Sequence, residues 1–185
     1  MRAEPPLRML VVANPKSGSA DLAAVSCALE RHLGGADIAY HVHRLEKGEQ
    51  IADVVSDGVE KGMDVVVAVG GDGTVSGVAD VLAETDVRMG IVPAGTGNTL
   101  ARELGIPLDI DGAVRLLVEG RSTVRIDAGR VRDQVSVLNV GIGVSAFMMD
   151  RTNRRQKNRF GMSAYMWNGI KGLVGIQPHR FTLTV

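Results

Sequence analysis

The sequence has one cysteine, few aromatic residues and no long apolar run, and each shortage excludes a class of protein. Cys27 cannot form an internal disulfide on its own, which is typical of a reducing compartment. Aromatic residues make up only 3% of the chain, so the core must be aliphatic. No apolar stretch is long enough to span a bilayer, and residues 1–15 lack the apolar core of a signal peptide. We therefore expect a cytoplasmic protein.

The net charge of zero conceals an uneven distribution of charge along the chain. Residues 151–185 carry seven basic side chains and no acidic one, so all 21 acidic residues and 14 of the 21 basic ones lie in residues 1–150. The first part has a net charge of −7 and the last part +7. A positive segment suits a phosphate, an anionic membrane surface or an acidic partner. Packing against the acidic part of the chain is an equally weighted alternative.

Strand-like and helix-like segments alternate along the first 120 residues. Continuous apolar runs such as VVVAV are typical of strands buried on both faces, and apolar residues three and four apart predict helices between them. The order β-α-β-α-β-α-β-α predicts an α/β fold with a parallel sheet and helices on both faces. The predicted helices end at 33, 61, 83, 104 and 119, and the third of them is expected to start at Thr74.

The alternation stops after Gly120, where a second kind of structure is predicted. Strands over 122–131 and 135–144 flank a tight turn, and a helix over 162–174 and a strand over 180–185 follow. We therefore divide the chain into an α/β nucleotide-binding lobe, 1–121, and the beginning of a β-rich, mostly antiparallel lobe, 122–185. Because the last strand coincides with the end of the chain, we expect the second lobe to be truncated.

Three loops rich in glycine and polar residues each follow a predicted strand directly: NPKSG, GGDGT and PAGTGN. The carboxyl ends of parallel strands lie at one edge of a sheet, where ligands bind, so the three loops are expected to meet there. Glycine lets backbone amides approach an anion, and a strand–glycine–helix turn directs a helix amino terminus at it. The loops therefore predict a phosphate site.

Asp72 is the informative residue of the first glycine turn. A carboxylate beside phosphates is repelled unless a cation lies between them, so Mg²⁺ bound to Asp72 would explain its presence. The alternative for this turn alone is a tight connection in which Asp72 only caps the helix. The second turn repeats the chemistry with a hydroxyl on Thr96 and an amide on Asn98, which favours a nucleotide-phosphate site. Neither a Walker loop nor a Rossmann GxGxxG is present.

Five segments in this order, NPKSG, VVAVGGDGTV, PAGTGNTLARELGIP, RIDAGRV and LNVGIGVSAFMM, resemble the catalytic domain of diacylglycerol kinases and related bacterial lipid kinases and sphingosine kinases. GGDGT alone is less specific, because the superfamily includes NAD kinases. The resemblance implies an ATP lobe and a β lobe with the active site between them. It also implies Mg²⁺ and transfer of the γ-phosphate to a hydroxyl of diacylglycerol or a related lipid.

The resemblance and the loops together identify the candidate site. Asp72 is the candidate for the catalytic metal–phosphate network and for the metal ligand, and no general base is identified in this chain. The candidate ATP contacts are Asn14, Lys16, Ser17, Gly18, Gly70, Gly71, Gly73, Thr74, Gly95, Thr96, Gly97 and Asn98.

Several positions depart from the family pattern. Ser76 and Gly77 replace the usual Asn-Glu, which puts nucleotide affinity in doubt, and Thr99 and Ser145 stand where Asp is common. Asp127 lies in a family-like position and is interpreted as structural or substrate-side.

The expected partners are a lipid substrate and an anionic membrane surface contacted through residues 151–180, with no nucleic acid. Peripheral membrane association would follow, since the basic stretch adjoins Tyr165 and Trp167. A final strand left unpaired would favour a homodimer. Two alternatives to the lipid kinase are a NAD kinase-like phosphotransferase and a non-catalytic module that binds ATP but lacks the general base.

Overall fold

The structure is a computed structural model that describes residues 6–15, 22–35, 38–120, 123–131 and 133–138. Four strands alternate with helices and are followed by a small hairpin. In chain order the elements are β1 Leu7–Ala13, α1 Leu22–Leu33, β2 Ile38–Arg44, α2 Ile51–Glu60, β3 Val65–Gly70, α3 Asp72–Leu82, β4 Arg88–Pro93, α4 Thr99–Glu103, α5 Ile110–Glu119, β5 Gly129–Val131 and β6 Gln134–Ser136.

The first four strands form one parallel sheet in the order β2-β1-β3-β4. Strand β1 pairs with β2 from Leu7↔Ile38 onward and with β3 from Met9↔Val65 onward. Strand β3 pairs with β4 along its whole length. The chain therefore adds β2 on one side of β1 and then crosses to the other side for β3, which confirms the predicted parallel α/β fold.

The two faces of the sheet are covered by different helices. Helices α1 and α5 pack on the face formed by alternate strand residues such as Val11 and Val67. Helices α2, α3 and α4 pack on the opposite face, which includes Val12 and Val66. All six residues of β3 are buried, because a central strand contacts helices on both sides. The prediction that helices pack on both faces of the sheet is confirmed.

An ion-pair cluster joins α1 to α5 at the surface. Arg31 and His32 both contact Oδ1 of Asp111, at 2.6 and 3.1 Å. The hydrogen bond with His32, assisted by the charge of Arg31, lowers the pKa of Asp111. The cluster fixes α5 beside α1.

Two of the predicted element boundaries were wrong. Helix α3 begins at Asp72 rather than at Thr74, so the glycine turn is partly helical. Residues 123–128 are not a strand, and only Gly129–Val131 pairs with Gln134–Ser136 in an antiparallel hairpin. The alternation of Val124 and Ile126 predicted a strand, yet both side chains are exposed.

The described residues up to Leu138 belong to one compact unit. The predicted lobe boundary at residue 121 stays a prediction, since most of residues 122–185 lie outside the described part. The predictions for the 162–174 helix, the 180–185 strand, Ser145 and the basic segment 151–180 also lie outside it. Across the ranges that are described, no helix is long and apolar enough to cross a membrane.

Candidate functional site

The site lies at the carboxyl edge of the sheet, where the direction of strand addition changes between β1 and β3. Such a switch point leaves a crevice, because the connections from the two strands depart toward opposite faces. Asn14 directly follows β1 and spans this position. Its backbone amide donates to the carbonyl of Val69 at 3.0 Å, and its side-chain amide donates to Oγ1 of Thr74 at 3.0 Å. Asn14 thus ties the end of β1 to the beginning of α3.

The first glycine turn, Gly70–Thr74, connects β3 to α3 without a side-chain cap. Gly71 is the N-cap residue, with φ −94° and ψ −170°, and as a glycine it has no side chain with which to cap the first amides of α3. The first amides of a helix lack the usual carbonyl partner four residues earlier and attract anions, although here the Thr74 amide donates to the carbonyl of Gly71 at 2.9 Å. The turn therefore presents the positive end of an eleven-residue helix at the crevice.

The glycines of this turn are required for two different reasons. A Cβ on Gly70 would collide with the side chain of Thr74, and one on Gly71 would lie 3.2 Å from Cα of Gly95. At Gly70 and Gly71, other atoms of the protein therefore occupy the space that a side chain would need. Apart from its chain neighbours and the backbone of α3, no described residue lies within 4 Å of the position that a Cβ on Gly73 would take, and Gly73 is exposed. Its missing side chain leaves open space beside the helix amino terminus.

Asp72 links the first glycine turn to the second. Its Oδ1 accepts a 2.6 Å hydrogen bond from the backbone amide of Thr99, the first residue of α4. If residue 97 carried a Cβ, that atom would collide with Oδ2 of Asp72, so the glycine lets the carboxylate lie against the second turn. Asp72 therefore caps α4 and not α3, the helix for which the capping alternative was stated. The half-buried carboxylate retains oxygen lone pairs for a second ligand.

The second glycine turn, Gly95–Asn98, is closed by its own amide side chain. Oδ1 of Asn98 accepts from the amide of Gly95 at 2.9 Å, and Nδ2 donates to the carbonyl of Gly95 at 2.8 Å. Asn98 is buried and has the left-handed backbone conformation, with φ 51°. Asparagine is among the few residues that adopt this conformation readily. Asn98 therefore shapes the turn, and the exposed Thr96 is left at its surface.

The structure brings most of the sequence-predicted residues together. Asn14, the Gly70–Thr74 turn and the Gly95–Asn98 turn lie at one edge of the sheet and contact one another directly. Thr74 is buried, and its hydroxyl lies beneath the turn, where it contacts Asn14. Lys16, Ser17 and Gly18 lie outside the described residues. That these residues contact ATP stays a prediction.

Two contacts at the site were not foreseen in the sequence. The amide of Thr99 binds Asp72, and Nε of Arg102 donates to the carbonyl of Gly97 at 2.9 Å. The first uses a backbone group, so the departure from the family pattern at Thr99 does not disturb it. The bond between Thr99 and Asp72 depends on how β3 and β4 are aligned, so no local sequence signal indicates it. The bond from Arg102 is local and joins residues five positions apart.

Gly77 has a packing explanation. A Cβ at this position would lie 3.2 Å from Cδ1 of Ile51, so helices α2 and α3 approach closely there. A larger residue, such as the glutamate common in the family, would require Ile51 to move. The presence of Gly77 in place of the family's usual glutamate therefore accompanies the close packing of α2 against α3.

A hydrogen-bonded histidine–glutamate pair lies at the carboxyl end of β2, on the same edge of the sheet. Nε2 of His43 is 3.0 Å from both carboxylate oxygens of Glu49, and the amide of Glu46 donates to Oε2 at 2.8 Å. These hydrogen bonds, first that from Glu46 and then that from His43, lower the pKa of Glu49. The pair fixes the loop between β2 and α2.

Metal ligands are sparse at this edge. Over the described ranges, no three His, Cys, Asp or Glu side chains are grouped closely enough to hold a metal ion by themselves. Asp72 is the acidic residue that lies within the two glycine turns. Among the described residues, the two glycine turns therefore offer a metal one carboxylate, that of Asp72.

Comparison with known proteins gives a consistent result. The family model described as "Diacylglycerol kinase catalytic domain" matches residues 8–131, which include both glycine turns. A "Diacylglycerol kinase" from Mycobacterium tuberculosis is 40% identical over 132 residues, which are 69% of this chain and 42% of that protein. A "Probable lipid kinase YegS-like" from Klebsiella pneumoniae is 33% identical over 138 residues, which are 73% of this chain and 46% of that protein.

A solved structure agrees with these relatives. The crystal structure of a diacylglycerol kinase from Bacillus anthracis superposes with a TM-score of 0.59 at 26% identity, covering 70% of this chain and 45% of that one. The chain thus spans less than half the length of each of these three proteins.

Proposed function

The chain belongs to the diacylglycerol kinase catalytic domain family, and from this premise we propose that it forms the nucleotide-binding part of a lipid kinase. The proposed reaction transfers the γ-phosphate of ATP to a hydroxyl of diacylglycerol or a related lipid, giving a lipid phosphate. The observation that carries the proposal is the meeting of two glycine turns at the switch point, where Gly73 is exposed at the amino terminus of α3 and no described side chain occupies the position of its missing Cβ.

The residues of the first turn fit a nucleotide phosphate. The first amides of α3 supply donors, and the space at Gly73 lets an anion approach them without displacing a side chain. Asn14 and Thr74 hold the turn in place from below, since their side chains contact each other. In this proposal the turn orients the phosphates, and orientation accounts for much of catalysis in phosphoryl transfer.

Asp72 fits the role of a magnesium ligand in such a site. Mg²⁺ is commonly held by one or two carboxylates together with substrate phosphates and water, and Asp72 supplies one carboxylate. When bound, the ion would neutralise negative charge on the phosphates. The bond from the Thr99 amide to Oδ1 holds the carboxylate in one orientation at the edge of the crevice. The described residues provide no candidate for a general base.

The decisive experiment compares Asp72→Asn with the unchanged chain in one transfer assay. γ-Labelled ATP, Mg²⁺, diacylglycerol in mixed micelles and free NAD are incubated together, and the products are separated. Asparagine can still accept the hydrogen bond from Thr99 but lacks the charge, so we expect labelled lipid to fall at least about 100-fold, roughly 2.7 kcal/mol of transition-state stabilisation. The matched control is Asp86→Asn, which removes an exposed carboxylate.

Each outcome of this assay identifies a different function. Labelled lipid that depends on Asp72 supports the lipid kinase. Labelled NAD would overturn the substrate class in favour of a NAD kinase-like enzyme. Nucleotide binding in calorimetry, with no label in either product, would support the ATP-binding module that lacks its general base.

A further inference from the structure

Helix α3 contacts a second element at the end opposite to the glycine turn. The β5–β6 hairpin, Gly129–Ser136, lies against the last turns of this helix. Oδ1 of Asp80 accepts a 2.6 Å hydrogen bond from the backbone amide of Val135, and this bond is partly buried. A strand amide is thereby paired with a side chain of a helix.

Two further contacts hold the same hairpin. Arg130, which is the register partner of Val135, donates to Oε1 of Glu84 at 2.6 Å. This ion pair is exposed, and exposed pairs contribute little. Val137 and Leu138, directly after the hairpin, pack against the apolar cluster that includes the buried α3 residue Val78. The bond to Asp80 is therefore the polar contact that specifies where the hairpin sits.

Asp72 and Asp80 lie on one face of α3. They are eight residues apart, which is slightly more than two helical turns, so about 12 Å of rigid helix separates them. The first binds the amide of Thr99 beside the phosphate turn, and the second binds the amide of Val135 in the hairpin. The same short helix thus fixes both a glycine turn and the hairpin through carboxylate–amide bonds.

We propose that Asp80 is a positioning residue that holds the β5–β6 hairpin on α3 and couples it to nucleotide bound at the amino end of that helix. The coupling rests on the proposed function, whereas the attachment of the hairpin does not. Ordering of the turn by a nucleotide restrains α3, and the hairpin is restrained with it because Asp80 ties the two together. The hairpin then moves as part of the nucleotide-binding region.

Hydrogen exchange on the full chain tests the attachment without nucleotide. In Asp80→Ala the amides of residues 133–138 should exchange about tenfold faster, because the Val135 amide loses a charged acceptor. Asp80→Asn keeps an acceptor oxygen and should stay close to the unchanged chain. Asp86→Ala, which removes a nearby exposed carboxylate, should have no effect. Slow exchange at β3 shows that each variant is folded. Equal exchange in Asp80→Ala and the unchanged chain would overturn the attachment.

The coupling is tested by adding a non-hydrolysable ATP analogue with Mg²⁺. In the unchanged chain, we expect slower exchange in the 70–75 turn and, by about threefold, in residues 133–138. In Asp80→Ala the turn should be protected and the hairpin should not. A protected turn with an unprotected hairpin in the unchanged chain, or equal hairpin protection in Asp80→Ala, refutes the coupling. An unprotected turn in the unchanged chain instead contradicts the proposed function.

Discussion

The turn after β3 and the turn after β4 both combine glycine with a hydroxyl and a polar side chain, and they touch at the carboxyl edge of the sheet. They differ in what fills the space around them. The second turn is closed by the amide of Asn98 and opens a helix of five residues. The first opens a helix of eleven residues, and no described side chain fills the space beside Gly73. Similar glycine patterns therefore serve packing in the second turn, whereas in the proposed function the first turn serves a ligand.

The largest effect should come from Gly95→Ala, which tests whether the turns need their close contact. The new Cβ would lie 2.5 Å from Cα of Gly71, where neither backbone can yield without moving a strand end. We expect a loss of about 3 kcal/mol in unfolding free energy, or roughly 6–12 °C in melting temperature. Gly35→Ala is the control, since nothing lies within 4 Å of its Cβ position. Thermal denaturation with equal melting temperatures for the two variants would show that the contact is unimportant.

Asn98→Ala tests the claim that the second turn is held by its own side chain. The variant loses both hydrogen bonds to Gly95 and places alanine at a φ of 51°, so we expect about 2 kcal/mol of destabilisation in urea unfolding. Thr96→Ala, at the exposed position of the same turn, should change stability by less than about 0.5 kcal/mol. If Thr96→Ala were the more harmful change, the assignment of roles within the turn would be wrong.

The expected free-energy change is smallest for Gly73→Ala, and this variant distinguishes the roles of the two turns most clearly. Alanine fits the space and the helix, so the variant should be as stable as the unchanged chain or slightly more so. Its methyl group occupies the space assigned to phosphate, so ATP affinity measured by calorimetry should fall about tenfold, or ~1.4 kcal/mol. A stable variant with unchanged affinity would remove Gly73 from the proposed site.

Local sequence patterns predicted the sheet because its signals are strong. The strand Val65–Gly70 is apolar throughout and is buried throughout, and the glycines after it mark the edge of the sheet. Patterns within a few residues also located both turns. The start of α3 was wrong by two residues because Asp72 and Gly73, which are poor helix formers, lie in its first turn.

Contacts between distant residues could not be predicted in the same way. The bond from Thr99 to Asp72 joins residues 27 positions apart, and that from Val135 to Asp80 joins residues 55 apart. Both use a backbone amide, which every residue except proline carries, so residue type provides no signal. The segment 123–128, wrongly predicted as a strand, shows the opposite case. The local alternation of Val124 and Ile126 is present, but no described strand pairs with this segment.

The central pairing of the sheet has a consequence for synthesis of the chain. Strand β1 is bonded on one side to β3, and Met9 lies 56 positions before its partner Val65. At roughly 5–20 residues per second, a ribosome needs about 3–11 s to make the chain between them. During that time β2 can pair with one edge of β1, but the other edge stays open. A nascent chain of this topology therefore exposes an apolar strand edge. Chaperones, or rapid synthesis of β3, protect this edge from aggregation.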